Sequence, residues 1–252
     1  MSSQQLRPTG FRILPPVIKN LIIINVLFFL ASWSFSSTLK INLDDILGMH
    51  YFLSPQFRPY QIVTYMFMHG GFDHIFFNMF ALWMFGNVLE NYWGPKRFLT
   101  YYMVTGIGAV LIQMLVNYYL ITKAEAHMSK EQIDTVLSEG YKILQHNSNF
   151  IDPLMAKLNL LYNTPIIGAS GAVFGLLLAF GMLFPNSMIY VYFAIPVKAK
   201  WFVFFYGILE LYGGVANKSG DNVAHFAHLG GMIFGYFLII YWKRKMNRTN
   251  YF

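Results

Sequence analysis

The chain contains no cysteine. Disulfide scaffolds, thiol nucleophiles and thiolate metal sites are therefore excluded, and no redox compartment can be read from thiols. Charge is also scarce: Asp, Glu, Lys and Arg make up 12% of the 252 residues. Ordinary soluble domains carry roughly twice that share, and disordered chains more. Apolar residues fill the gap, with 56% hydrophobic, 19% aromatic and a positive mean hydropathy. This composition predicts a polytopic membrane protein with one compact domain. The net charge of +7 does not indicate nucleic acid as a partner. The basic residues sit beside apolar runs, which is how topology signals are placed.

Six apolar runs read as spans, at about 17–35, 72–92, 98–121, 168–184, 201–212 and 223–242. No small-residue cleavage site follows the first, so it reads as a retained helix and not a removed signal peptide. The expected organisation is a short cytoplasmic tail over 1–16, a membrane domain over 17–242 and a basic cytoplasmic tail over 243–252. Residues 36–68 are too broken for a straight span and predict short helical pieces in the interface. A polar insertion at 122–162 separates the third and fourth spans. Within it, Ser129 and Gln132 fit a capping box, and Ile133, Val136, Leu137 and Leu144 follow at near-helical spacing. That predicts an amphipathic helix, as a surface element or a lid over the domain. With both termini on one side, that side gathers eleven Lys and Arg, against three in the short loops opposite. The asymmetry places both termini in the cytoplasm.

The stretch Gly168-Ala169-Ser170-Gly171-Ala172-Val173-Phe174-Gly175 opens the fourth span. A helix start offers unpaired N–H groups and partial positive charge, which suit a nucleophile whose reaction builds an oxyanion. From Gly168 to Phe184 the run is about 25 Å long, against a bilayer core of about 30 Å, so Ser170 should lie below the surface. Small residues also let membrane helices approach closely, so this stretch alone fits packing as well as catalysis.

Polar residues inside other spans bear on that choice. His69, His74 and Asn78 open the second span, and His74 and Asn78 share a helix face. His225 and His228 open the sixth. Gly171 and Gly175 on the fourth span, with Gly230, Gly231 and Gly235 on the sixth, give flat faces that would bring His228 to Ser170. Serine acyl transfer follows, with His228 as general base. His74, Asn78 and the Ser170 N–H would donate to the oxyanion, and Phe174 would pack on the imidazole. No intramembrane Asp or Glu is seen to orient His228, so the expectation is a dyad and not a triad.

These residues together resemble the rhomboid intramembrane serine proteases. Gly168-Ala169-Ser170-Gly171 is similar to their G-x-S-G motif, and Ala227-His228-Leu229-Gly230-Gly231 to their A-H-x-G-G motif. His69, His74 and Asn78 match the pattern of the second span, and Gly86, Glu90, Gly94, Arg97 and Phe98 that of the following turn. The resemblance covers roughly residues 60 to 242. It implies an all-α membrane protein, a six-transmembrane-helix rhomboid-like bundle with a Ser/His dyad in an extracytoplasmic-facing cavity. It implies an enzyme that cuts transmembrane segments of other membrane proteins, with the bilayer as its medium. It also implies the oxyanion role of His74 and Asn78 and the packing role of Phe174, with Gly168, Gly171 and Gly231 in support. Two departures stand out: Tyr60-Gln61 replaces the usual Trp-Arg, and the connection at 122–162 is long.

Other readings are weaker. A metal pair at His225 and His228 lacks H-E-x-x-H and any nearby carboxylate, so His225 reads as structural or as a support behind the residues that react, and no metal or cofactor is expected. His69 reads as ordering the start of the second span. Ser219-Gly220-Asp221 lacks the partner Asp of an aspartyl protease. Glu90 and Arg97 read as a structural pair or helix cap. A transporter would show half-repeats or more buried charge. A non-catalytic rhomboid-like binding or quality-control factor should lack the Ser or the His, and both are here. The compact six-span form favours a bacterial inner membrane.

Overall fold

A computed structural model describes residues 10–191, 194–216 and 223–249. The Ser219-Gly220-Asp221 motif, and residues 1–9 and 250–252 of the two expected tails, lie outside the described residues.

Each of the six apolar runs folds as a helix. They are α1 (Pro16–Ser34), α4 (Phe72–Trp93), α5 (Pro95–Glu125), α8 (Ser170–Leu183), α9 (Ala199–Ala216) and α10 (His225–Thr249). Between α1 and α4 come a π-helical turn (Phe35–Leu39), α2 (Leu43–Leu47) and α3 (Gln61–Thr64). The insertion folds as α6 (Lys130–Gln145) and α7 (Pro153–Asn163). A hairpin of β1 (Met188–Val191) and β2 (Ile195–Lys198) joins α8 to α9. Among the described residues, three segments are long and apolar enough to cross a membrane: Pro16–Leu39, Pro95–Glu125 and His225–Lys245. The chain is thus a mostly helical membrane protein.

Local chemistry sets the ends of these helices. Pro16 and Pro95 occupy first-turn positions, where a missing N–H costs nothing. Gly94 has φ +78° and reverses the chain between α4 and α5 in one residue. The carboxylate of Glu90 accepts from the backbone N–H of Val17 at 3.0 Å and of Ile18 at 2.9 Å. It therefore caps α1, using both oxygens there, so of the two roles expected for Glu90 the cap is the one observed. Ser129 forms both halves of its capping box with Gln132, as its spacing predicts. Asn42 and Asp152 cap α2 and α7.

Helix α8 sits in the middle of the packing. It touches α4, α5, α9 and α10, and α10 packs in turn along α5. Its residues from Gly171 to Leu177 are all buried. In a membrane there is little hydrophobic drive between helices, so close van der Waals fit must hold them. Gly231 shows the fit most directly: a Cβ there would stand 1.9 Å from the Gly171 carbonyl oxygen. The glycine faces do not meet as one expected pair, however. Gly175 abuts Thr105 and Gly230 abuts Ala109, both on α5, so α5 wedges between parts of the two faces.

The connection at 36–68 is ordered by Gln61, half of the unusual Tyr60-Gln61 pair. Gln61 is buried; its amide donates to the carbonyls of Ile46 and Gln56, both at 3.1 Å, and its oxygen accepts from the Arg58 N–H at 3.0 Å. Gln61 thus supplies both donors and an acceptor, holding the connection onto itself without a charge. Met49 and Ile166 exchange two backbone hydrogen bonds, both at 2.9 Å, and tie this connection to the segment leading into α8. The insertion packs α6 on α7 and α7 on α5. Tyr141 of α6 donates to the Asp45 carboxylate on α2.

Candidate functional site

Ser170 is the first residue of α8, following Ala169. The N–H groups of this first turn have no acceptors within the helix. Gly168 turns the chain into the helix with φ +119°, a conformation that favours glycine. A Cβ on Gly168 would stand 2.6 Å from His74 Nε2 and 3.7 Å from Ser170 Oγ. The missing side chain therefore leaves open the space between these two polar groups.

His228 lies in the first turn of α10. Its Nε2 is 2.8 Å from Ser170 Oγ, although the residues are 58 apart in the chain. The ring of Phe174 lies parallel to the His228 ring, with centroids 4.1 Å apart and planes at 5°. Tyr206 of α9 also packs on Phe174, at 5.0 Å between centroids and tilted by 46°. The two residues expected to meet do so, and Phe174 stacks as anticipated.

His74 sits at the start of α4. Its Nδ1 accepts from the Gly70 N–H at 3.3 Å, so its proton resides on Nε2, the atom that faces Gly168. Asn78 is buried one turn later and donates to the His74 carbonyl at 2.8 Å. It is tied to His74, not directly to Ser170 or His228. His69 is buried, with its ring edge-on to His74 at 5.0 Å.

One residue corrects the sequence reading. Glu210, on α9, is buried, and its Oε2 accepts from His228 Nδ1 at 2.8 Å. The same oxygen accepts from His225 Nδ1 at 2.7 Å. The expected dyad is therefore a chain of three side chains, Ser170, His228 and Glu210, with His225 as a second donor to the carboxylate. The statement that no carboxylate lies near the two histidines is also overturned. One ligand atom from each of Glu210, His225 and His228 falls within 4.8 Å of the others, which is a donor set able to hold a divalent cation. The missed signal was present in the sequence: an acidic residue inside the apolar run 201–212.

In chemical terms the site holds a hydroxyl against an imidazole, and a carboxylate against the far side of that imidazole. A helix N-terminus and a histidine N–H flank an open space beside the hydroxyl. This is the equipment of serine acyl transfer.

Comparison with known proteins agrees with that geometry. Residues 56–245 match the model of the Rhomboid domain. The chain is 29% identical over 175 residues to Rhomboid protein 1, mitochondrial, of Saccharomyces cerevisiae, covering 69% of this chain and 39% of that protein. It is 28% identical over 177 residues to RHOMBOID-like protein 12, mitochondrial, of Arabidopsis thaliana, covering 69% and 44%. It is 27% identical over 186 residues to Rhomboid-like protease 5 of Toxoplasma gondii, covering 70% and 16%. The chain thus spans less than half the length of these relatives. The first two are named as mitochondrial proteins of eukaryotes, and they give the expected bacterial inner membrane no support. Sequence match, helical membrane architecture and the Ser170–His228 contact agree: the chain belongs to the rhomboid family.

Proposed function

We propose that this chain is an intramembrane serine endopeptidase that cleaves transmembrane segments of other membrane proteins. The observation that carries the reading is the 2.8 Å contact between Ser170 Oγ and His228 Nε2 at the N-terminus of a buried helix. In the proposed reaction, His228 takes the Ser170 proton as the hydroxyl attacks a scissile carbonyl. The oxyanion lies beside the Ser170 N–H and the His74 Nε2–H, with Asn78 in support. His228 returns the proton to the leaving amine, and water then hydrolyses the acyl-enzyme by the reverse relay. Phe174 holds the imidazole plane through these transfers.

The membrane setting shapes the substrate. A transmembrane helix hides its carbonyls in its own hydrogen bonds, so the enzyme needs a segment that unwinds locally. Glycine, proline and other weak helix formers near the membrane surface supply one. Helix α8 has 14 residues, about 21 Å at about 1.5 Å per residue, against a bilayer core of about 30 Å. If the six helices α1, α4, α5, α8, α9 and α10 span the membrane with both termini cytoplasmic, Ser170 opens toward the opposite side at that depth. The Lys and Arg asymmetry supports this orientation. The domain bounds 17–242, with flanking tails, follow from it. A non-catalytic role finds no specific support, because the hydroxyl and the imidazole are both in place.

The test is direct. Purified protein is incubated with a reporter carrying one transmembrane helix, beside Ser170→Ala and His228→Ala. Cleavage by the parent and by neither variant supports the reading. Equal cleavage by all three, or none by the parent against any of a panel of helix-breaking reporters, removes it.

A further inference from the structure

The position of Glu210 bears on how the imidazole is held. On α9 the buried residues are Ala199, Val203 and Glu210, while Phe204, Phe205, Ile208, Leu209, Leu211 and Tyr212 are exposed apolar side chains. A carboxylate in that setting is costly unless it is well partnered. Here a single oxygen receives two imidazole N–H groups, from residues one helical turn apart on α10.

We infer that Glu210 is a positioning residue: it fixes His228 as the Nδ1–H tautomer and so turns the Nε2 lone pair toward Ser170, while His225 fixes the carboxylate. The inference rests on the serine-protease reading for its catalytic consequence, but the tautomer it assigns stands by itself. A neutral imidazole carries one proton, on either nitrogen. If that proton sat on Nε2, His228 could not accept from the Ser170 hydroxyl 2.8 Å away. An acceptor 2.8 Å from Nδ1 holds the proton there. When His228 takes the serine proton, both nitrogens become donors, and the carboxylate then faces an imidazolium whose charge it balances. The parallel Phe174 ring fixes the plane of the imidazole but cannot choose between its nitrogens, because a ring face attracts no particular N–H in that plane. Glu210 makes that choice. His225 Nδ1, 2.7 Å from the same oxygen, keeps the carboxylate aimed at α10.

The experiment uses the full chain in lipid nanodiscs, with Glu210→Gln, Glu210→Asp, Glu210→Leu and His225→Asn. It reads kcat and KM on the transmembrane reporter, thermal unfolding, and the ¹⁵N-histidine spectrum. The expected results are a fall in kcat of about 100-fold for E210Q with KM within about twofold, and partial recovery in E210D. The ¹⁵N spectrum of the parent should show His228 protonated at Nδ1, and in E210L a mixture of tautomers. H225N should lower kcat less than E210Q does. Parent-level kcat in folded E210Q and E210L overturns the inference, as does a parent spectrum with His228 protonated at Nε2. If the variants fail to fold, the parent spectrum decides. If the parent cleaves nothing, the protease reading falls and the spectrum still decides the role of Glu210.

Discussion

The aromatic ring of Phe174 lies parallel to the imidazole of His228, 4.1 Å away centroid to centroid. Phe174 is one helical turn beyond Ser170, so a single helix carries both the hydroxyl and the surface on which its partner imidazole rests. Stacking of this kind is worth about 0.5–1.5 kcal/mol beyond area burial, enough to restrict the ring to one plane.

Replacing Phe174 should therefore disturb catalysis more than binding. Phe174→Leu is expected to lower kcat about tenfold with KM little changed, because it removes the flat surface and keeps most of the volume. Phe174→Tyr should stay within about threefold of the parent, since the ring remains. Steady-state cleavage of the transmembrane reporter checks both. A Leu variant with the parent's kcat would show that the stack is only packing.

The helix contact beneath the site gives a second outcome. In Gly231→Ala the new methyl would stand 1.9 Å from the Gly171 carbonyl oxygen, a backbone atom that cannot turn aside. Helices α8 and α10 must then separate, and Ser170 and His228 with them. The variant is expected to lose about 1–3 kcal/mol of stability, together with most activity. Thermal unfolding in detergent and fluorophosphonate labelling of Ser170 measure the two effects. Parent-level labelling in a fully stable variant would contradict the fit.

For the oxyanion, the donor assignment makes His74 the more important residue. Its Nδ1 accepts from the Gly70 N–H, and its Nε2 faces the space left by Gly168. His74→Ala is expected to reduce kcat by about 10²-fold with KM nearly constant, since an oxyanion donor acts mainly in the transition state. Asn78→Ala should cost less, about tenfold, because Asn78 reaches the site through the His74 carbonyl. An Asn78 variant worse than the His74 variant would reverse the assignment.

The insertion offers a pH-dependent outcome. Burial raises the Asp45 carboxyl, but hydrogen bonds from His50 and Tyr141, with the nearby His50 charge, outweigh it and leave the group below the usual carboxylate range. A depressed acid contributes stability above its unfolded value and loses it as pH falls through its folded one. The Tyr141 hydroxyl is pushed up to about 12, by burial first and then by Asp45. Its contribution is present below its unfolded value and fades as pH rises toward the folded one. Docking of α6 on α2 should thus hold across neutral pH and weaken below the ordinary carboxylate range. At pH 7, Tyr141→Phe should cost about 1–3 kcal/mol of that docking, and the difference from the parent should shrink in acid. Limited proteolysis of residues 126–129, or hydrogen exchange in α6, follows it. A Tyr141→Phe effect that grows in acid would exclude the Asp45 bond as its cause.

Much of this protein is legible from one chain of letters. Six apolar runs gave six helices because a segment with few polar side chains or neighbouring strands satisfies its backbone groups best within itself. Ser129 and Gln132 marked the start of α6 by spacing alone, because a capping box is local. Gly168, Ser170, Phe174 and His228 were readable only as a set: small residues alone suit helix packing, but a hydroxyl, an imidazole and an aromatic ring at matched ends of apolar runs point to one site. The β-hairpin before α9 and helix α7 were not foreseen, since short elements are held by neighbours and carry weak periodicity.

Composition and local pattern were enough for the membrane setting, the helical segments and most of the side chains gathered at the candidate site. Only the tertiary structure decided which of them meet. Glu210 lies 18 residues before His228 on a different helix, and its partnership depends on how α9 rotates to bury a single acidic side chain. Glu90 likewise caps a helix through Val17, which lies 73 residues earlier. Local composition fixes what a segment is, whereas a hydrogen bond between helices depends on rotation and depth, which packing sets.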